Sequence, residues 1–475
     1  MTKITIDPVT RVEGHGKITL IQSDDGRISE ARLHIVEFRG FEKFIQGRPY
    51  WEVPVLVQRL CGICPVSHHL AAAKAADMLI GASKISPTAL KIRRLMHFGQ
   101  ILQSHALHFF HLASPDLLFG YDDEVRHRNI VGVLQDHPEI ARQGVLLRKF
   151  GQQVIEATAG KRIHGTGAIP GGINAALDPA ARDRLLEQAP LMVEWGQAAV
   201  ALIRRIFMDE REYHERFAEI SSHMLSLVGE DGRLELYDGL LRANDATGGR
   251  LVDDVSPLSY QDLLREHIED WSYMKFPFLR SLGVDEGWYR VGPLARLDNC
   301  DFISTPLAEQ ERQAFTAIND GLPVQATLAI HWARMIELLH CAESILEMLP
   351  DPELVQGELL AHGDLQSLGI GVIEAPRGTL IHHYEIDSDG LIERANLIVS
   401  TTHNNRAMNE SIRQVAATYL NGQEITEPLL NQLEVAVRAY DPCLSCATHA
   451  LGQMPLGVEL LDRSGRRLDY RVRKS

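Results

Sequence analysis

The sequence predicts a mainly α-helical (α+β) fold, a core bundle of long helices with small peripheral β-sheets. Three observations carry this. Several tracts repeat apolar residues at three and four spacing, and three of them open on Ser86-Pro87, Asp178-Pro179 or Thr305-Pro306, the signature of a capped helix with proline in its first turn. Strand-like alternation is confined to short stretches bounded by turn residues, at 16–35 and 369–399. Finally, two Cys-x-x-Cys pairs, Cys61/Cys64 and Cys443/Cys446, stand at opposite ends of the chain. A length prior of ~150 residues per domain gives about three domains. A site drawing on both ends argues instead for one interlocked unit.

Taken in order, Lys17-Ile18-Thr19-Leu20-Ile21 and Ala31-Arg32-Leu33-His34-Ile35 flank Asp24-Asp25-Gly26 as a hairpin. The charged, glycine-bearing segments on either side, 7–16 and 37–43, suit loops over a site. After Cys64 the run Leu70-Ala71-Ala72-Ala73-Lys74-Ala75-Ala76 reads as helix, alanine being the best helix former. The helix opened by Ser86 carries Leu95, Phe98, Leu102, His105, Phe109 and Leu112 on one stripe. His105 on that stripe reads as a satisfied core histidine. A helical tract runs from Asp178 to Phe207. A short strand is expected near Leu234-Glu235-Leu236-Tyr237, and a capped helix from Ser259. The tract from Gln325 to Met348 is long and apolar on one face, and its Cys341, like Cys300, reads as a core residue. A β-meander over 369–399 comes next. Gly369-Ile370-Gly371 within it lacks the third glycine and following helix of a dinucleotide fingerprint. Helices to about Leu420 and over 428–439 then deliver the second cysteine pair.

The composition bounds the function. A hydrophobic content of 45% with 23% charged residues is that of an ordinary globular chain. A net charge of −15 argues against nucleic acid as partner. No apolar run approaches the ~18 residues of a membrane span. The N-terminal Met1-Thr2-Lys3-Ile4-Thr5-Ile6-Asp7-Pro8 has no secretory pattern, so a cytoplasmic location is expected. Six cysteines are too few for a disulfide framework and suit metal binding.

Four thiolates admit structural zinc, an iron–sulfur cluster or a catalytic soft-metal centre. Zinc knots take their pairs from stretches roughly 15–20 residues apart, whereas most of the chain separates these two. His68, Asp441 and His449 flank the pairs, and Glu13, Glu42 and Arg377 sit in loop-like segments where proton transfer and anion binding are available chemistry.

The segments Arg11-Val12-Glu13-Gly14-His15, Arg39-Gly40-Phe41-Glu42, Arg59 to His68, Ala375-Pro376-Arg377-Gly378 and Asp441 to His449 resemble, in order, the large catalytic subunit of nickel–iron hydrogenases. The segments 441–455 and 269–277 are similar to its cytoplasmic, bidirectional NAD-reducing branch. The resemblance implies that family's large-subunit fold and reversible heterolytic cleavage of dihydrogen. It implies nickel on Cys61, Cys64, Cys443 and Cys446, and iron carrying cyanide and carbon monoxide bridged by Cys64 and Cys446. Magnesium would take Glu42, the Leu397 carbonyl and His449. Cys443 would accept the proton first and Glu13 relay it, with Arg377 a rival base above the metals. Arg377 and Thr401 would contact the diatomic ligands, and His68 and Pro376 would lie just behind the ligands.

The resemblance further implies a small iron–sulfur subunit, flavin-bearing diaphorase subunits, nickel-insertion proteins and a maturation endopeptidase. That endopeptidase would cut after His449, leaving 1–449 as the catalytic unit. By pattern alone, 450–475 reads as a hairpin. Deazaflavin- or sulfur-reducing hydrogenases are the alternative branch, and a zinc scaffold the distant one. Periplasmic relatives have aspartate immediately before the histidine of the long helix. Ser104 stands there in this chain.

Overall fold

Four long helices form the centre of the main apolar core because each presents a continuous apolar face. They span Pro87–Leu107, Pro138–Ala159, Pro179–Asp209 and Ala329–Met348. The computed structural model describes residues 3–7, 9–24, 27–35, 40–82, 84–121, 123–269, 271–420, 426–444, 456–461 and 467–473. Pro87–Leu107 is central, packing on both Pro138–Ala159 and Ala329–Met348. Close approach at the first crossing depends on Gly99 and Gly151: a Cβ on Gly151 would stand 2.6 Å from the Gly99 carbonyl oxygen.

The caps match the sequence closely. Ser86 Oγ accepts from the Ala89 amide at 3.1 Å, and Asp178 Oδ2 from that of Ala181 at 2.9 Å. Thr305 differs. Its hydroxyl is 2.9 Å from His340 Nδ1, and the Glu343 carboxylate takes over its capping role on the amides of Leu307 and Ala308. The apolar stripe of Pro87–Leu107 is buried through Phe109. A π-helical turn over His108–Ala113 then adds a residue, which rotates the end of the stripe and leaves Leu112 half-buried.

Five antiparallel strands form one sheet in the order Arg467–Arg473, Leu456–Leu461, Lys3–Asp7, Gly16–Gln22, Ile28–Ile35. The expected hairpin over 16–35 is its edge, and the C-terminal hairpin adds to the N-terminal strand. A second sheet orders Tyr289–Arg290, His223–Val228, Leu240–Asn244 and Arg250–Val255. The expected strand at 234–237 is not formed. Glu235 Oε1 there accepts from the amides of Leu236, Tyr237 and Asp238, so the segment curls around its own carboxylate. The helix expected from Ser259 is a single turn, Tyr260–Leu263, which passes directly into the strand Leu264–His267.

The meander forms as Leu368–Ala375, Gly378–Ile386 and Ile392–Ile398, paired antiparallel. The helix Pro65–Leu79 lies directly on it. Gly369 and Gly371 are the reason it lies so close, since Cβ atoms there would meet the carbonyl oxygens of Ala75 and Ala71 at 2.2 and 2.0 Å. Gly371→Ala is therefore expected to force that helix off the sheet and cost about 1–3 kcal/mol, read as a lowered denaturation midpoint.

Candidate metal centre

The first cysteine pair is held by helix geometry. Cys61 ends a helical turn over Val57–Leu60, and Cys64 is the N-cap residue of Pro65–Leu79, with Pro65 in the first turn. The Cys64 amide points back at Cys61 Sγ, 2.9 Å away, so amide and helix dipole both favour a thiolate. From the central helix, the buried side chains of Gln100 and Gln103 both donate to the Ile63 carbonyl, at 3.0 and 2.8 Å. They pin the loop between the two cysteines. Sequence reading passed them over, although their i, i+3 spacing on a buried face was a signal for a shared partner.

The second pair arrives from the helix Glu427–Arg438. After it Asp441 adopts a left-handed backbone, φ 53°, which turns the chain into Cys443. Here the N-terminal loop meets it: Glu13 and Cys443 form an isolated parallel bridge, and the Leu444 amide donates to the Glu13 carbonyl at 2.7 Å. The loop is fixed from behind by Arg11, which pairs with buried Asp116 at 2.6 Å, and by Thr10, whose hydroxyl donates to Glu434 at 2.7 Å. Arg438 also contacts Asp116.

Cys61, Cys64 and Cys443 thereby converge, their sulfurs all within 4.8 Å of one another. Cys61 and Cys443 Sγ are 3.4 Å apart. Hydrogen bonds from its neighbours Cys443 and Cys61, and then burial, push the Cys64 thiol well above its ordinary range. Metal binding at this set must therefore displace protons. Three converging sulfurs are soft donors and fit nickel, iron or zinc. Cys446 and His449 lie outside the described residues.

Glu13 Oε2 accepts from Cys443 Sγ at 3.1 Å, a spacing suited to proton exchange between thiol and carboxylate. Thr401 Oγ1 accepts from the Cys443 amide at 3.1 Å. Arg377 is buried and donates through Nη2 to Asp441 Oδ1 at 2.8 Å and through Nε to the Asp441 carbonyl. Burial opposes its charge, but Asp441 and the sulfurs hold its pKa well above the ordinary value. Ser104 Oγ lies 3.5 Å from Arg377 Nη1; Asp441 supplies the negative charge that faces the guanidinium. Pro376 offers only its carbonyl, to Arg296 Nη2 at 3.3 Å. Glu42 Oε1 accepts from the Leu397 amide at 2.9 Å, so these two expected neighbours do adjoin.

A cavity of about 470 Å³ opens beside the sulfurs, lined among others by Cys64, Cys443, His68, Arg377, Thr401 and Glu42. His105 is absent from its lining. It is fully buried in the core, as expected, with Nε2 2.7 Å from Glu337, but it is satisfied on that side alone: among the described residues its Nδ1 has no hydrogen-bond partner. Cys300 and Cys341 are buried away from the other cysteines, and burial pushes the Cys300 thiol up to about 12.

The family profile described as nickel-dependent hydrogenase matches residues 39–119 and 230–449, and a HoxL-like profile matches 3–38. The chain belongs to the nickel-dependent hydrogenase family. It is 46% identical to the NAD-reducing hydrogenase HoxS subunit beta of Cupriavidus necator, over 99% of both chains. Identity to a subunit of the F420-non-reducing hydrogenase of Methanothermobacter thermautotrophicus is 42%, over 98% of this chain and 99% of that one. A solved NAD+-reducing NiFe hydrogenase in its H2-reduced state superposes with a TM-score of 0.92 at 57% identity, covering 94% of this chain and 99% of that one. The Ni-Fe-Se hydrogenase of D. vulgaris Hildenborough shares the fold at a TM-score of 0.76 and 21% identity, over 94% and 100%. This hydrogenase chain is thus a catalytic large subunit, and the expected large-subunit fold is the one formed. No helix among the described residues is long and apolar enough to cross a membrane.

Proposed function

We propose that this hydrogenase subunit cleaves dihydrogen reversibly within a multisubunit enzyme whose final acceptor is NAD+. The observation that carries the site is the convergence of Cys61, Cys64 and Cys443 from opposite ends of the chain. With Cys446 they would hold nickel, and Cys64 and Cys446 would also hold an iron bearing cyanide and carbon monoxide. Glu42, the Leu397 carbonyl and His449 would hold magnesium, a reading supported by the Glu42–Leu397 contact. Nickel and iron, when bound, supply the electron-accepting chemistry that polarises dihydrogen.

The remaining work falls to the chain. Cys443 takes the proton, and Glu13, 3.1 Å away, carries it off. Arg377 stays charged, because Asp441 is bound to it and a guanidinium releases protons reluctantly. It keeps positive charge over the cavity and leaves the base role to the thiolate. The acceptor reading rests on the likeness to NAD-reducing enzymes, and the deazaflavin- or sulfur-reducing alternative has no comparable support.

Electrons leave through a small iron–sulfur subunit and flavin-bearing diaphorase subunits. Four of the six cysteines are assigned to the site and two are isolated in the core, so none remain for a cluster in this chain. Phe44, Trp51 and Val55 are exposed on the segment leading into Cys61 and suit an apolar contact with the iron–sulfur partner. The complex would work in the cytoplasm.

Nickel-insertion proteins and an endopeptidase complete maturation by removing 450–475. The tail hairpin pairs with Lys3–Asp7, the strand that leads to the Glu13 loop. Cys443 already meets Cys61 with the tail so paired, so an uncut tail would act on the chain beyond Cys443, delaying its closure until the metal is in place.

Cys61→Ser and Cys446→Ser are expected to abolish hydrogen uptake and lower nickel content by metal analysis. Retention of both activity and nickel would overturn the site. Glu13→Gln should keep nickel and the infrared bands of the diatomic ligands while proton–deuterium exchange collapses; wild-type exchange would reject the relay. The intact mass of active enzyme should end at His449, and nickel-starved cells should accumulate the longer chain. Active, nickel-loaded protein that still ends at Ser475 would refute removal.

A further inference from the structure

His68 on the helix Pro65–Leu79 reaches the meander beneath it. Its Nδ1 is 3.1 Å from Nε2 of His382, and His382 Nδ1 contacts the Tyr384 hydroxyl. His382 and Tyr384 are two apart on one strand and so share the face that meets the helix. All three side chains are at most 2% exposed, and burial keeps both imidazoles neutral, with His68 pushed down to about 4. Tyr384 packs in an apolar cluster with Ile45, Val53 and Val57. Among the described residues its hydroxyl has no partner besides His382.

A neutral imidazole has one donor and one acceptor nitrogen. Three groups in line therefore permit two orders. In one, Tyr384 donates to His382 Nδ1, His382 Nε2–H donates to His68 Nδ1, and His68 is left protonated at Nε2. In the other every bond reverses, and the Tyr384 O–H proton is left without an acceptor in an apolar cluster. A buried orphan donor is the costlier defect, so the first order prevails.

We infer that Tyr384 and His382 are positioning residues that fix His68 as its Nε2–H tautomer, turning a hydrogen-bond donor toward the sulfur-lined cavity. His68 lines that cavity together with Cys64 and Cys443, and its Nδ1 edge is occupied by His382. A fixed donor there withdraws electron density from a thiolate, and an acceptor in its place repels one. The effect on bound metals rests on the proposed site, but the tautomer itself does not.

The test is nitrogen NMR of the full metal-free chain labelled with ¹⁵N-histidine, with His68→Gln used to assign the signal. His68 should be protonated at Nε2 and bare at Nδ1. His382→Leu, which removes the donor, should give a mixture of tautomers. Tyr384→Phe should shift the population the same way by less. His382→Gln, whose amide N–H can take over the donation, should restore the single form. In the metal-loaded enzyme the infrared bands of the diatomic ligands should move in His382→Leu and return in His382→Gln. Protonation at Nδ1 in the unaltered chain, or a single Nε2–H form persisting in His382→Leu, overturns the inference, and the first of these needs only the assignment variant His68→Gln to fold. Failure of the chain to bind nickel, with the tautomer as stated, would instead overturn the metal assignment alone.

Discussion

The hydrogen bond from the Leu444 amide to the Glu13 carbonyl joins two segments that lie almost a whole chain apart, and the site depends on that junction. It sets the Glu13 carboxylate against Cys443 and Cys443 against the first cysteine pair. A tie of this kind closes a very long loop. The entropy of closure grows only slowly with loop length, but it must be met by packing elsewhere, and the long helices supply it. Arg11, Asp116 and Arg438 then lock the N-terminal loop to helices from the middle and the end of the chain.

The interior around the sulfurs is unusually charged. Arg296 joins Glu374 at 2.7 Å and Glu337 at 2.6 Å, with all three essentially unexposed. Although burial opposes it, Arg296 and His105 pull the Glu337 carboxyl down to about 2. Arg296 also donates to the carbonyls of Ala375 and Pro376, so this ion network holds the turn that carries Arg377. Buried pairs of this kind add little net stability because desolvation offsets their attraction. Their function in this fold is orientation: each charged group has one geometry in which all its partners are met.

The same logic applies to the groups that surround the sulfurs. Gln100 and Gln103 reach the loop between the first two cysteines from the central helix, Thr401 reaches Cys443 from the segment after the meander, and Asp441 reaches Arg377 from the end of the last helix. Every one of these donates or accepts a bond that fixes a main-chain group or a guanidinium beside the sulfurs. Residues that touch no metal ligand through their side chains still set where the ligands stand.

Much of this was legible in the sequence. The helices, their Ser86 and Asp178 caps, the meander, the terminal hairpins and the cysteine pairs all rest on local spacing, which covalent geometry and periodicity dictate without reference to the rest of the chain. The ordered motifs around Glu13, Cys61, Arg377 and Cys443 likewise pointed to the family. What spacing could not give was partnership. The segment at 234–237 has a strand-like alternation, yet Glu235 gathers its amides. Thr305 opens its helix as read, but Glu343 from another helix caps it. Ser104 stands beneath Arg377 while Asp441 supplies the charge, and His382 and Tyr384 gain a role only because Gly369 and Gly371 let the helix bearing His68 settle on their sheet. Residue order and local spacing settle which groups exist and which local shapes they take. Tertiary packing alone decided which of them meet, because a buried polar group must find its partner wherever the fold places one.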